Sequence, residues 1–174
     1  MKTHQYQGFT LVELLVTLVI ASVLIGAALP RLSGVFNAFS ASASAEELIS
    51  TLAYARGQAV FRQEAVLVCS GTNSCTGGND WSGGWIVFID GDGDGNFTNG
   101  VPTDELLKVV ESNNTSVAIT HTAGQVVFDE LGEYTALAAT NFTVCGDSTN
   151  NNANKIISLE LVGYVESQVG VACP

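Results

Sequence analysis

From Phe9 to Leu29 the chain runs for 21 residues with a single charge, Glu13. About 20 apolar residues in a helix span the hydrocarbon of a bilayer. A stretch of this kind must end up in lipid or among other helices, so everything after it has to fold as an appendage to it. The short segment before it, Met1 to Gln7, carries Lys2 and His4. Taken alone, the arrangement reads as a membrane helix or a secretory signal peptide. Three details disfavour the ordinary signal peptide. The run is too long for a signal core. No small-x-small cleavage site follows it, because Pro30-Arg31 ends it. A carboxylate, Glu13, sits where a signal core tolerates none.

A carboxylate in an apolar span is costly and calls for a partner. The order Gly8-Phe9-Thr10-Leu11-Val12-Glu13, behind a short basic leader and ahead of a long apolar helix, resembles the leader and N-terminus of type IV pilins and pseudopilins. Pro30 falls where that superfamily often carries a helix-kinking proline. The resemblance implies cleavage by a prepilin peptidase after Gly8 and N-methylation of the new terminus at Phe9. It also implies that Glu13 pairs with the terminal amine of a neighbouring subunit during filament assembly. Amine and carboxylate are each costly in an apolar bundle, and each offsets the other's cost when they meet.

Proline removes a rung of the helical ladder and bends the axis, but the helical pattern resumes beyond Pro30. Ala45, Leu48, Leu52, Ala55 and Ala59 recur at alternating spacings of three and four, one apolar face of an amphipathic helix. The reading is one helix from about Thr10 to Phe61, with a flexible linker across Ser40 to Ala45 (SASASA) as the alternative. Strands are expected at Glu64 to Cys69, Trp85 to Asp90, Leu106 to Glu111, Val117 to Thr120, Gln125 to Phe128, Asn141 to Cys145, Lys155 to Val162 and Tyr164 to Val171. Trp85–Asp90 is expected to form a hairpin with Leu106–Glu111, and Val117–Thr120 to pair with Gln125–Phe128. The fold class is therefore α+β: a long N-terminal helix, its first half transmembrane, packed on a mostly antiparallel sheet. The expected divisions are a leader at 1–8, a membrane or filament-core helix at 9–31, an amphipathic half-helix at 32–62 and an extracytoplasmic β-rich domain at 63–174.

After residue 40 there are four Lys/Arg against sixteen Asp/Glu, and the whole chain carries a net charge of -11. Such a surface repels phosphate backbones. Four cysteines in an exported chain favour disulfides. Of the three pairings, loop economy favours Cys69–Cys75 and Cys145–Cys173. A zinc site is disfavoured, since no CxxC occurs and His4 and His121 are the two histidines.

The stretch Ala53-Tyr54-Ala55-Arg56-Gly57-Gln58-Ala59, then Cys69, Cys75 and Trp81-Ser82-Gly83-Gly84-Trp85-Ile86-Val87-Phe88-Ile89-Asp90, resembles the GspH/FimT group of minor pilins and pseudopilins. Phe128-Asp129-Glu130-Leu131-Gly132, Phe142-Thr143-Val144-Cys145-Gly146 and the terminal Cys173 extend the likeness over nearly the whole chain. The resemblance implies a minor pilin taking part in type IV pilus assembly, as a priming or tip subunit. The alternative is a minor pseudopilin of a type II secretion system. Other pilin subunits, the prepilin peptidase and the bacterial inner membrane are the implied partners, with the domain in the periplasm or on the fibre. Some relatives in the group bind DNA through arginines in a C-terminal hairpin. Here the matching stretch is Gly163-Tyr164-Val165-Glu166, so DNA is disfavoured.

Asp90-Gly91-Asp92-Gly93-Asp94-Gly95-Asn96 is the most suggestive polar sequence. Alternating aspartates surround one point when such a loop curls, as in an EF-hand. The twelfth position is Val101 rather than Glu, so a fourth ligand must come from further on, with Asp104 the candidate. Calcium at Asp90, Asp92, Asp94 and Asp104 is one reading, and an acidic hairpin turn is the other. Trp85 is expected in the core, Trp81 partly over the Cys69–Cys75 loop, His121 solvated, and Arg56 and Arg62 on the outer helix face or near its C-terminal end, where positive charge suits the helix dipole. No nucleophile elbow, phosphate loop or paired acid and base emerges, and no enzyme is expected.

Overall fold

The structure, a computed structural model, describes residues 9–98, 100, 104–112, 116–146, 151–170 and 173; the side chains at 27–33 and 151 lie outside the described set. Helix α1 spans Leu11–Arg62, 52 residues, or about 78 Å at 1.5 Å per residue. Thr10 caps its start, accepting the Glu13 N–H on its hydroxyl at 3.2 Å. Gln63 ends it in the left-handed conformation, φ 57°, with its N–H on the Ala59 carbonyl. The helix runs without interruption through the SASASA stretch. Ala41 and Ala45 are buried there against the domain, and Leu48, Leu52, Ala55 and Ala59 continue the same face. Small residues let the helix lie close, and each buried leucine contributes roughly 1.5–3 kcal/mol.

Eight strands follow: β1 Val66–Ser70, β2 Gly84–Ile89, β3 Glu105–Glu111, β4 Ala118–His121, β5 Gln125–Phe128, β6 Thr140–Cys145, β7 Lys155–Leu159 and β8 Val165–Val169. They form two antiparallel four-stranded sheets rather than one, in the orders β3-β2-β1-β5 and β4-β6-β7-β8. The expected β2–β3 hairpin is present, with a register shift between Val87 and Phe88. The expected pairing of β4 with β5 is not. Strand β5 adds to β1, with Val126 opposite Val68, and β4 adds to β6, with Ile119 opposite Val144. The chain changes sheet at Thr122–Gly124. Packing decides this: Ile119 and His121 turn inward toward Phe142, while Val126 and Phe128 complete the first sheet's helix-facing side.

One continuous core holds α1 to both sheets. Val66, Val68, Trp85 and Val87 supply it from the first sheet, and Ile119, Phe142, Val144 and Ile157 from the second. The alternate residues of β1 and β2, Leu67, Cys69, Ile86 and Phe88, form a smaller cluster on the far side with Phe97. Both faces of these strands are covered, so they read as unbroken apolar runs. Disulfides join Cys69 to Cys75 and Cys145 to Cys173, with Cα–Cα distances of 5.4 and 5.9 Å. The first covers the smaller cluster and the second ties residue 173 to β6.

Candidate assembly surface and acidic loop

Between Leu11 and Gly26, α1 touches no part of the domain. Phe9 is 83% exposed and Leu11 78%, and side chains all round the cylinder, such as Leu14, Leu18 and Val23, are exposed too. The polar residues of this shaft do not interrupt it. The Thr17 and Ser22 hydroxyls donate to the carbonyls of Leu14 and Val19, each at 2.8 Å, which satisfies them in an apolar surrounding. Glu13 is the exception, an exposed carboxylate in the first turn. Its place suits the positive end of the helix dipole. Gly8, the expected cleavage position, lies outside the described residues. Among the described residues no helix is long and apolar enough to cross a membrane; the apolar sequence passes through 27–33, whose side chains are outside that set. Exposed apolar surface on this scale is not stable in water and marks a contact with lipid or other helices.

The acidic loop between β2 and β3 is organised by its own carboxylates. Asp90 accepts the N–H groups of Gly93 and Gly95, both at 2.8 Å. Asp104 accepts that of Thr98 at 3.0 Å, and its other oxygen is buried with no hydrogen bond. Oxygens of Asp90, Asp92 and Asp104 lie within 4.8 Å of one another. Asp94 does not join them, contrary to the expected set of four, because its carboxylate turns back to cap the Asn96 N–H at 2.6 Å. The Asp94 N–H lowers the pKa of Asp92, but desolvation, the charges of Asp94 and Asp104 and a side-chain hydrogen bond with Asp90 outweigh it and leave Asp92 above an ordinary aspartate. Three hard oxygen donors at one point suit a calcium-like cation.

Several side chains depart from the sequence reading. His121 is buried, 3% exposed, rather than solvated. Its ring stacks on Phe142 at 4.0 Å and meets Trp81 edge-on. Nδ1 lies 2.6 Å from the Ala123 carbonyl and Nε2 2.8 Å from the Thr140 hydroxyl, so Nδ1 carries the proton and Nε2 accepts. Burial lowers its pKa, and the Ala123 carbonyl opposes this only in part. Trp81 is wholly buried against His121 and Phe142, not spread over the disulfide loop, and its indole N–H donates to the same Ala123 carbonyl at 3.3 Å. Arg56 is more than a helix-surface cation: Nε donates to the Gly132 carbonyl at 3.0 Å. Arg62 pairs with Glu105 at 2.7 Å. No local periodicity signals the His121 cluster, since Trp81, His121 and Phe142 come from three separate segments. The β7–β8 hairpin exposes Tyr164 and Glu166 around Gly163, a tyrosine and a carboxylate rather than the cations that phosphates require.

The family model described as the type II transport protein GspH matches residues 44–163, more than half of the sequence. The chain belongs to the GspH family. The prokaryotic N-terminal methylation motif matches residues 3–29, which sets this GspH-family chain within the type IV pilins and pseudopilins. No curated protein sequence matches it. Among solved structures it is similar to the type IV minor pilin FimU of Pseudomonas aeruginosa in two crystal forms. One has a TM-score of 0.56 at 18% identity, covering 76% of this chain and 96% of that one. The other has a TM-score of 0.59 at 17% identity, covering 78% and 92%. At such identities the likeness speaks for the fold: a helix laid across antiparallel sheets.

Proposed function

We propose that this GspH-family chain is a minor pilin, a structural subunit that takes part in type IV pilus assembly by priming the fibre or standing near its tip. The observation that carries the proposal is the bare shaft from Leu11 to Gly26, apolar on every side with one carboxylate near its start. In the proposed sequence of events the chain inserts in the inner membrane with its domain in the periplasm. A prepilin peptidase removes residues 1–8, cutting after Gly8, and Phe9 becomes the methylated terminus. Residues 9–31 then leave lipid for the filament core, 32–62 carry the helix into the domain, and 63–174 face outward. Glu13 meets the terminal amine of a neighbouring subunit, which removes the cost of an unpaired carboxylate in the core.

The test is to compare the major pilin sheared from cells lacking this gene with that from parent and complemented cells. Loss of surface pili, restored by the native gene but not by a Gly8-substituted one, is the expected result. A Gly8 variant that is cut and assembles normally would refute the proposal. The second reading, a type II secretion pseudopilus, draws on the secretion description attached to the family model. It is favoured if the deletion leaves pili intact and retains exported enzymes inside the cell.

Calcium bound by Asp90, Asp92 and Asp104 is an accessory part of the proposal. Support comes from the convergence of the three carboxylates and from the bare buried oxygen of Asp104. Millimolar calcium is expected to raise the melting temperature of the native chain and not of D92N. An unchanged native melting temperature removes the metal.

A further inference from the structure

The loop after β2 carries a second signal beside its cluster of carboxylates. It contains the run Asp94-Gly95-Asn96-Phe97-Thr98. An asparagine with a threonine two places on is the acceptor triplet of N-glycosylation in an exported chain. Two such triplets lie wholly within the described residues, Asn96-Phe97-Thr98 and Asn141-Phe142-Thr143. The structure separates them. Asn141 sits in β6 opposite Ser158 of β7, and its neighbour Phe142 is wholly buried against Trp81 and His121. Drawing that triplet out would take the second sheet apart. Asn96 and Thr98 are exposed, in a loop where Gly93 and Gly95 are left-handed at φ 76° and 79°. From Gly91 to Thr98 Phe97 alone is buried, its ring resting on Phe88 with centroids 5.5 Å apart. Lifting that single plug frees the triplet to lie extended in an enzyme's groove.

Asp94 supplies the other half of the signal. It is the aspartate that stays out of the Asp90, Asp92 and Asp104 group, and it stands two residues before Asn96, whereas Ala139 holds the same place before Asn141. Its carboxylate accepts the Asn96 backbone N–H at 2.6 Å, and its carbonyl accepts the Asn96 side-chain N–H at 3.2 Å. In a transferase groove these local bonds exchange for a cationic side chain on the carboxylate, a charge-assisted contact. We propose that Asn96 is the acceptor of an N-linked glycan, recognised by a transferase through the Asp94 carboxylate and the Thr98 hydroxyl. The donor is an oligosaccharide carried as a polyisoprenyl diphosphate ester. Asn96 Nδ2 bonds to the anomeric carbon, and the bond from that carbon to the diphosphate oxygen breaks. The lipid diphosphate leaves with the electron pair, and one Nδ2 proton passes to a carboxylate of the transferase. The second Nδ2 proton remains for the Asp94 carbonyl. Phe97 belongs to the cluster on the side of the first sheet away from α1, so the glycan stands clear of the shaft and of the helix-facing core. The inference rests on export of the domain and not on the machine that the subunit joins.

The experiment purifies the full chain from its native cells and fragments the tryptic peptide between Arg62 and Lys108 in a mass spectrometer. The expected spectrum carries a carbohydrate increment placed on Asn96. N96Q and T98V should remove it and T98S should keep it. D94N should lower its occupancy about tenfold, since the new amide oxygen still accepts the Asn96 N–H but carries no charge. The three altered side chains are exposed, and the circular dichroism of each variant is expected to match that of the native chain, so loss of the increment reports recognition and not folding. A native peptide of unmodified mass, an increment that persists in N96Q, or an occupancy indifferent to D94N would each overturn the inference. If the native peptide is unmodified while Phe9 is found as the processed terminus, the pilin reading stands and the inference alone has failed.

Discussion

Alanine at Gly163 is a measured push on the corner where α1 meets the turns of Gly132 and Gly163. Gly163 has φ +75°, and Gly77, in a surface loop, has φ +67° with open space where an added methyl would sit. A Cβ in this left-handed region costs about 1–2 kcal/mol. At Gly77 that strain is the whole cost, so G77A should lose about 1 kcal/mol. At Gly163 the methyl also meets the Gly132 carbonyl and Arg56 Nε. The carbonyl belongs to a turn held by Asp129, which accepts the N–H groups of Leu131 at 3.0 Å and Glu133 at 2.8 Å. Neither neighbour can yield without breaking the Arg56–Gly132 hydrogen bond. A bond from a charged donor contributes about 1.5–3 kcal/mol, and the exposed position of Arg56 puts it at the low end. G163A should then lose about 3 kcal/mol in all. For a chain of this size that is about 9 °C in melting temperature, against about 3 °C for G77A. Denaturant titration of the full chain in mild detergent reads this through the fluorescence of Trp81 and Trp85, both buried. In an R56Q background the excess of G163A over G77A should shrink by about 1.5 kcal/mol. Equal losses for the two alanines, or an excess untouched by R56Q, would refute the packing argument.

The remaining two predictions concern the interior and the crosslinks. His121 has its pKa lowered by burial, so below about pH 6.5 the unfolded chain binds a proton that the folded chain refuses. Its contribution is therefore complete above that pH and is lost as pH falls toward the lowered folded value. H121Q should flatten the melting temperature between pH 7 and the onset of carboxylate titration, and a native chain whose melting temperature falls no further than that of H121Q between pH 7 and pH 5.5 would contradict this. The disulfides close separations of 6 and 28 residues, for which loop entropy gives about 2.2 and 3.6 kcal/mol. Paired alanines at Cys145 and Cys173 should thus cost more than at Cys69 and Cys75, and the reverse order in denaturant midpoints would show that packing around Cys69 outweighs loop length.

The helix was legible because its signals are local. An apolar run, then alanine and leucine at spacings of three and four, brought the expected end at Phe61 within one residue of the observed Arg62. Strand β2 was legible for the same reason, since WIVFI is buried on both faces. Sheet membership was not. The segments of β4 and β5 stand one short turn apart and look like a hairpin, yet the choice between partners was made by Phe142 and Val68, far away in the chain. His121 was misread for a related cause. A histidine before Ala123-Gly124 has the composition of a surface turn, and nothing nearby in sequence announces Trp81 above it and Phe142 beneath. The acidic loop was half legible: alternation brought Asp90 and Asp92 together with Asp104, but Asp94 followed the local preference of aspartate for its own backbone.

One helix serves two solvents, and the change between them is written around residue 40. Up to Gly26 the side chains are apolar on all sides and the hydroxyls fold back on carbonyls; from Ala41 onward a single face is buried. A flexible joint at the boundary would let the domain swing on its shaft. The structure closes that option with small residues rather than large ones. Gly146 at the end of β6 lies so close to α1 that a Cβ there would stand 2.6 Å from the Asn37 carbonyl and 2.8 Å from Ala41. Its N–H is held by the buried Asn154 side chain at 3.0 Å, and its neighbour Cys145 carries the disulfide to Cys173. The C-terminal tether is therefore fastened where the helix leaves the domain, not at a remote strand. Force on the shaft reaches the second sheet directly through this neck, and the SASASA stretch, which reads as a weak linker by composition, is stiff because its alanines allow the sheet to approach.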